Sequence, residues 1–247
     1  MSITTETVCN ALSAVVDEYL KTDYVSAKWV RDISIAGNDV SLVIELGYPA
    51  ASMHAFIRNR VTAALQQVPG IGRITVDVTT KIITHAVQHG AKPMPGVKNI
   101  IAVSSGKGGV GKSTVTANVA LALAAQGARV GVLDADIYGP SQPTIMGISE
   151  KPTSSDGEYF DPVCQYGLQL MSIGFMMDSV QPLAWRAPMM TQALMQLLQQ
   201  TRWDDLDYLL IDMPPGTGDI QMTLSQKAPL TGAVVVTTPQ DVAVLDA

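Results

Sequence analysis

Cysteine is almost missing from these 247 residues, where Cys9 and Cys164 stand alone. Two thiols so far apart cannot build a disulfide framework, and they fit a reducing, cytoplasmic setting. Aromatic residues make up 5% of the chain, so any core must be mainly aliphatic. Charge is scarce too, at 15%, and its balance is acidic: 16 Lys and Arg against 22 Asp and Glu give a formal net charge of −6. Residues 1–90 hold seven basic against eight acidic side chains, and the remainder nine against fourteen. Nothing here is basic enough to track a nucleic-acid backbone, so no nucleic-acid partner is expected. No window reaches the roughly 18 apolar residues of a membrane span, and the first residues lack the pattern of a secretion signal, so no membrane association is expected. What the chain does have is apolar material, 47% of its residues, enough for one large domain or two smaller ones.

Hydrophobic periodicity divides that material in two. Val8, Leu12, Val15, Val16 and Tyr19 recur at helical spacing. Ile33 and Ile35, then Val40, Leu42, Ile44 and Leu46, alternate around Gly37-Asn38 as in a hairpin. Met53, Phe56, Ile57, Val61, Leu65 and Val68 share a face of a second helix, which Pro69-Gly70 ends before the alternating Ile74, Val76 and Val78. These signals predict a small α+β domain over residues 1–88. A linker over 89–98, with Pro93, Pro95 and Gly96, leads to a larger domain over 99–247. There the strands are continuous apolar runs at 99–104, 129–134, 168–173, 207–212 and 232–237, with helices at 113–126, about 188–202 and about 218–227. That alternation predicts an α/β fold with a mostly parallel sheet covered on both faces. Residues 149–166, rich in Ser, Pro and Asp, read as an exposed insertion. The helix begun at Asp241 stops after two turns without a cap, which is expected of a chain lacking its C-terminal part.

The most informative stretch is Gly106-Lys107-Gly108-Gly109-Val110-Gly111-Lys112-Ser113-Thr114. It fits the phosphate-binding loop G-x-x-x-x-G-K-[ST], between a predicted strand and a predicted helix, with an extra lysine after the first glycine. Glycines let the backbone turn its N–H groups toward phosphate oxygens, at the N-terminus of a helix. Lys112 is placed to reach the β- and γ-phosphates, and the Ser113 hydroxyl to ligate Mg²⁺. Two later stretches add carboxylates. Asp134 and Asp136 close the second strand of the larger domain, and Asp212 closes its fourth, at the sheet edge where α/β folds bind ligands. Asp212 can hold magnesium. Gly216, in Met213-Pro214-Pro215-Gly216-Thr217-Gly218-Asp219, can offer its N–H to the γ-phosphate. Capping of a helix or a turn is the competing role for Asp134 and Asp136.

With Val132-Leu133-Asp134-Ala135-Asp136-Ile137-Tyr138-Gly139-Pro140-Ser141, Trp185-Arg186 and Thr237-Thr238-Pro239-Gln240, these motifs resemble the Mrp/ApbC family of iron–sulfur cluster carrier ATPases. That family lies within the MinD/ParA and nitrogenase iron-protein class, whose loop carries the same extra lysine. The front domain is similar to the SufT-like assembly domain. The resemblance implies a homodimer in which Lys107 reaches the partner's nucleotide, with Lys112 at the phosphates. It also implies Asp136 orienting a water or a magnesium water, Asp134 supporting it, and slow ATP hydrolysis. Iron–sulfur apoproteins and assembly factors are the implied partners. The implied cargo is a [4Fe–4S] cluster bridged by a Cys-x-x-Cys pair. This chain has no such pair, so the cluster is expected only in a full-length homologue, with the pair C-terminal to Thr237-Thr238-Pro239-Gln240. Ala187 stands where many relatives carry Gly.

Two other functions compete: a partitioning ATPase of the ParA/MinD type, and a non-enzymatic nucleotide-dependent adaptor. The weaker candidates read as structure. His85 and His89 lack a third ligand for a metal, and Cys9 reads as a packed thiol. Cys164 is expected at the surface. Met176-Met177 and Met189-Met190 read as adaptable packing, and Asp204, Asp205 and Asp207 as a solvated turn.

Overall fold

The computed structural model describes residues 3–88, 91–175 and 187–247, in two compact units, Met1–Ile83 and Thr84–Ala247. Trp185, Arg186, His89 and the Met176-Met177 pair lie outside the described residues.

In the first unit, helix α1 (Thr5–Leu12) starts at Thr4, whose side chain accepts the Thr7 N–H. Its apolar spacing continues to Tyr19, yet the helix ends at Leu12. Asp17 is the reason: its Oδ1 accepts the N–H groups of Tyr19 and Leu20, and its Oδ2 accepts the Tyr48 hydroxyl at 2.6 Å. A carboxylate that bonds its own following backbone offers the chain a turn in place of a helix. Val15 stays buried, while Val16 and Tyr19 are exposed. Strands β1 (Val30–Ala36) and β2 (Asp39–Leu46) are antiparallel, joined by Gly37-Asn38 with Gly37 at φ 63°. Helix α2 (His54–Leu65) buries Ile57, Val61 and Leu65, whereas Phe56 faces solvent. Strand β3 (Ile74–Thr80) returns parallel to β2, giving the order β1-β2-β3. The alternation of β2 puts Val40, Leu42, Ile44 and Leu46 in one core with the apolar face of α2.

The second unit alternates strand and helix: β4 (Val97–Ser104), α3 (Lys112–Ala125), β5 (Val130–Asp134), α4 (Gln142–Ile145), β6 (Val163–Gln165) and β7 (Leu168–Ser172) come first. They are followed by α5 (Ala187–Gln200), β8 (Leu206–Asp212), α6 (Asp219–Lys227), β9 (Gly232–Val235) and α7 (Asp241–Leu245). The sheet order is β6-β7-β5-β8-β4-β9, with every pairing parallel except β6 on β7. The fold is the predicted α/β architecture with a mostly parallel sheet, and the first unit is a small mixed sheet with helices.

Both faces of the sheet are covered at its central strands β5, β8 and β4, which are apolar on both sides, whereas the edge strand β9 is exposed along its length. Val103, Val132 and Leu210 point to one side with Ala117 and Ala120 of α3. Ile100, Ala102, Leu133, Leu209 and Ile211 point to the other, with Leu194, Leu197 and Leu198 of α5 and Leu224 of α6. Ala117 and Ala120 bring α3 close against the sheet. Gly131 serves the other face, where a Cβ would sit 2.5 Å from the Leu206 side chain and 3.2 Å from Trp203. Observed bounds differ from the predicted ones by a residue or two. The exceptions are α4, a four-residue helix at a place where none was predicted, and β6, a three-residue edge strand inside the predicted insertion; both have too few residues to show a period.

Asp207 corrects the sequence reading. It is 5% exposed rather than part of a solvated turn, and it bonds Lys98 Nζ at 2.7 Å and the Arg129 backbone N–H at 2.9 Å. Burial works to raise its pKa, but these hydrogen bonds outweigh it and hold the carboxyl below its ordinary range.

Candidate functional site

The carboxyl ends of β4, β5 and β8 lie side by side, with Asp212 in register with Val103 on one side and Asp134 on the other. Strand register thus sets two carboxylates next to each other at the edge where β4 runs into the glycine-rich loop. Gly109 and Gly111 hold φ of 79° and 92°, values that favour glycine, and α3 begins at once with Lys112. Gly108, Gly109 and Gly111, together with Lys112, Ser113, Thr114 and Asp136, line a cavity of about 370 Å³. A Cβ on Gly109 or Gly111 would meet nothing within 4 Å, so the open space lies over the loop backbone. Gly106 is small for another reason: a Cβ there would run into the Asp246 carbonyl.

Below the cavity sits a buried polar node. Lys112 Nζ donates to Asp212 Oδ1 at 2.5 Å and to Ser113 Oγ at 3.1 Å, with Lys112 6% exposed and Asp212 fully buried. Thr116 Oγ1 adds a bond to Asp212 Oδ1 at 3.2 Å. On the far side of the carboxylate, Gln142 Nε2 donates to Oδ2 at 2.9 Å and to the Ser113 carbonyl at 2.9 Å. Asp134 is buried as well. Its Oδ2 accepts the N–H groups of Ser141 and Gln142 and the Ser172 hydroxyl, and its Oδ1 accepts the Asp136 N–H. Burial, with the Asp212 charge nearby, pushes its pKa up to about 6 despite those donors. Asp136 is half-buried at the cavity wall and accepts the Gly139 N–H at 3.2 Å. Burial raises its pKa, and the Lys112 charge partly offsets that.

Of the predicted residues, Gly108, Gly109, Gly111, Lys112, Ser113, Thr114 and Asp136 meet at the cavity, whereas Gly106, Lys107, Val110, Asp212 and Gly216 do not line it. Lys107 does not line the cavity: its Nζ donates to the Val242 carbonyl at 2.9 Å and pairs with Asp246 at 3.0 Å. Gly216, at φ 98°, spends its N–H on the Ser105 carbonyl at 2.8 Å, so that donor is engaged inside the protein. Asp212 lies behind Lys112 rather than on the cavity wall. Sequence reasoning missed Gln142 and Ser172, which fit no phosphate-loop motif. Their only signal is position, Gln142 two residues past Gly139-Pro140 and Ser172 at the end of β7. Among the weaker candidates, His85 is exposed outside any helix, Cys9 is partly buried, Cys164 is exposed and Met189 is 58% exposed. Among the described residues, no group of three or more His, Cys, Asp or Glu could hold a metal ion. No described helix is long and apolar enough to cross a membrane.

A glycine cradle at a helix N-terminus, a lysine on a strand-end aspartate and a hydroxyl beside it define a P-loop nucleoside-triphosphate-binding protein. Residues 96–247 match the family described as NUBPL iron-transfer P-loop NTPase, and residues 5–78 match the iron–sulfur cluster assembly protein family. The chain belongs to this iron-transfer P-loop NTPase family. A relative from Synechocystis named iron-sulfur cluster carrier protein is 46% identical over 99% of this chain and 70% of its own length. One of the same name from Escherichia coli is 51% identical over 86% of this chain and 58% of its own. A nucleotide-binding protein of Archaeoglobus fulgidus, solved with ADP, is 43% identical over 61% of this chain and 60% of that one, at a TM-score of 0.53.

Proposed function

We propose that this chain binds ATP with Mg²⁺ in the cavity over Gly108–Thr114 and hydrolyses it slowly, as the ATPase part of an iron–sulfur cluster carrier. The observation that carries the reading is the convergence of Lys112, Ser113 and Asp136 on one glycine-floored cavity, with Asp212 directly behind. The names and identities of the relatives support the cargo.

The donor set fits both groups. A hydroxyl and carboxylates are hard oxygen ligands of the kind magnesium takes, and a glycine loop ahead of α3 suits phosphate oxygens. Ser113 and Asp212 would hold the magnesium, with Asp136 close by. A magnesium ion held there would supply positive charge to offset that of the phosphates. Lys112 passes from Asp212 to the phosphates, trading one anion for another at short range. Asp136, with one carboxylate oxygen engaged by Gly139, positions the attacking water, and Asp134 braces that loop through the N–H groups of Asp136, Ser141 and Gln142. Gly216 reaches a γ-phosphate once its N–H leaves Ser105, a displacement the flanking prolines would confine to the loop.

Lys107 acts in a homodimer. After release from Val242 and Asp246, it adds a second cation at the partner's γ-phosphate, where charge must be offset during transfer. The cluster is cargo, bound and handed to apoproteins by the whole protein with its assembly partners. Cys9 and Cys164 belong to different units, and no cluster ligation is assigned to either.

Phosphate release by the purified protein, with and without Mg²⁺, tests the reading. Mg²⁺-dependent turnover that disappears in Lys112→Ala is expected. Nucleotide binding without turnover would leave a non-enzymatic adaptor, and turnover unchanged in Lys112→Ala would overturn the site.

A further inference from the structure

Gln142 is the one described side chain that ties the loop after β5 to both other parts of the site. Its amide nitrogen bridges the Ser113 carbonyl and Asp212 Oδ2, both at 2.9 Å, while its backbone N–H is bound at 3.0 Å by Asp134 Oδ2. The residue is 1% exposed, and it opens α4 where Pro140 and Pro143 stiffen the chain on either side. Its own acceptor, Oε1, is buried and has no hydrogen-bond partner. The Ser141 hydroxyl beside it is also buried and unpartnered, and Ser141 lines the cavity. A buried acceptor left open is rare in a folded protein, and a bound group that completes it is a common reason. Packing does not require an amide here, because a buried side chain serving only as filler would be apolar.

The two oxygens of Asp212 are held by different partners. Lys112 and Thr116 hold Oδ1, and Gln142 holds Oδ2. When Lys112 turns to phosphate, Oδ1 loses its cation, and Gln142 remains to keep the carboxylate plane fixed. Magnesium retains several waters when it binds to proteins, and those waters need acceptors behind the ligands.

We propose that Gln142 is the positioning residue of the magnesium site, its Nε2 fixing Asp212 for the metal and its open Oε1 accepting from a metal-bound water. This deepens the nucleotide-hydrolysis reading above and rests on it. The consequence is specific. Loss of Gln142 should weaken the metal's contribution to nucleotide binding and leave the glycine-loop contacts to the nucleotide itself intact.

Equilibrium binding of a fluorescent N-methylanthraniloyl ADP, titrated with Mg²⁺ in wild type and Gln142→Met, tests this without turnover. Methionine keeps the length and bulk of the side chain and removes both hydrogen-bonding atoms. The expected result is affinity without metal within about twofold of wild type, and a Mg²⁺ midpoint raised about tenfold, the usual cost of losing a group that orients a metal's ligand. An unchanged midpoint would overturn the proposal. So would a parallel loss of metal-free affinity, which would make Gln142 a scaffold for the loop alone. Should Gln142→Met fail to fold, Gln142→Asn, whose amide stops one methylene short of Asp212, replaces it with the same expected shift. Failure of the wild type to bind the nucleotide at all would instead count against the underlying reading, so the two failures are distinguishable.

Discussion

The two units each bury an aspartate at a decisive point, and they use it in opposite ways. Asp17 in the first unit is 2% exposed and bonds only groups that stay put: two backbone N–H groups a turn away and the Tyr48 hydroxyl. Its work is finished when the chain has folded. Asp212 in the second unit is fully buried too, but its partners come from α3 and from the first residue of α4, and the shortest bond is to the ammonium of a lysine. A carboxylate bound by its own turn fixes a shape. One bound by a lysine that can turn to another anion holds a site in readiness. Asp207 shows that location in the nucleotide unit does not by itself confer the second role. Lys98 and Arg129 surround it away from the cavity, and it serves the fold.

The sharpest way to break this comparison is Lys112→Ala. Turnover should fall by about 10²- to 10³-fold, the usual cost of losing one preorganised charge at a reacting centre, as read by phosphate release. Without nucleotide, the same change leaves Asp212 buried and uncompensated, at a cost of about 3–5 kcal/mol in a urea melt. Asp17→Ala is expected to cost the first unit about 3 kcal/mol through loss of bonds to a buried charge, with nucleotide affinity unchanged. Hydrogen exchange resolved to the β2 and β5 amides would separate the two effects.

Acid makes the next contrast. Asp134 has a raised pKa of about 6 against an ordinary 3.8, so the folded state binds its proton more tightly than the unfolded state does. Stability from this group is fully present below about pH 4 and is lost as pH rises through 6, a span on the order of 2–3 kcal/mol. Asp207, with its lowered pKa, contributes in the opposite sense, losing its share as pH falls. Replacing Asp134 by Asn should remove the first component from the pH dependence of β5 exchange. Smallest is Lys107→Ala. Its partly exposed pair with Asp246 is worth under about 1 kcal/mol to stability, while turnover should drop about tenfold with ATP affinity within twofold. Equal losses in both would remove its proposed role across a dimer.

Much of this was legible in the sequence because its signals are local. A glycine loop between an apolar strand and a helix occupies fifteen or so residues of chain, and no distant element is needed to read it. Strand-end aspartates follow from the same logic once the strands are placed. The node beneath the cavity was not legible, because Lys112, Gln142 and Asp212 meet only through the order β5-β8-β4, and no spacing in the chain encodes that order. Asp207 was misread for a related reason. Three aspartates in four residues look solvated until Lys98 and Arg129 arrive from elsewhere in the sheet. The overlong first helix failed differently: the apolar period was real, and the bonds that Asp17 makes to its own backbone overrode it.

The pairing of Asp134 with Asp212 across adjacent strands has one more consequence, for how this sequence can vary. Side chains alternate between the faces of a strand, so one residue inserted within β8 would turn every later side chain to the opposite face and move Asp212 about 3.3 Å along it. The composition would hardly change, and the site would be gone. Residues 154–159, all exposed, lie between the isolated bridges Thr153–Asp161 and Phe160–Thr201 and take part in no strand pairing themselves. Length can therefore vary freely among descendants of this chain in that loop, while the seven residues from Leu206 to Asp212 must be inherited as a fixed measure.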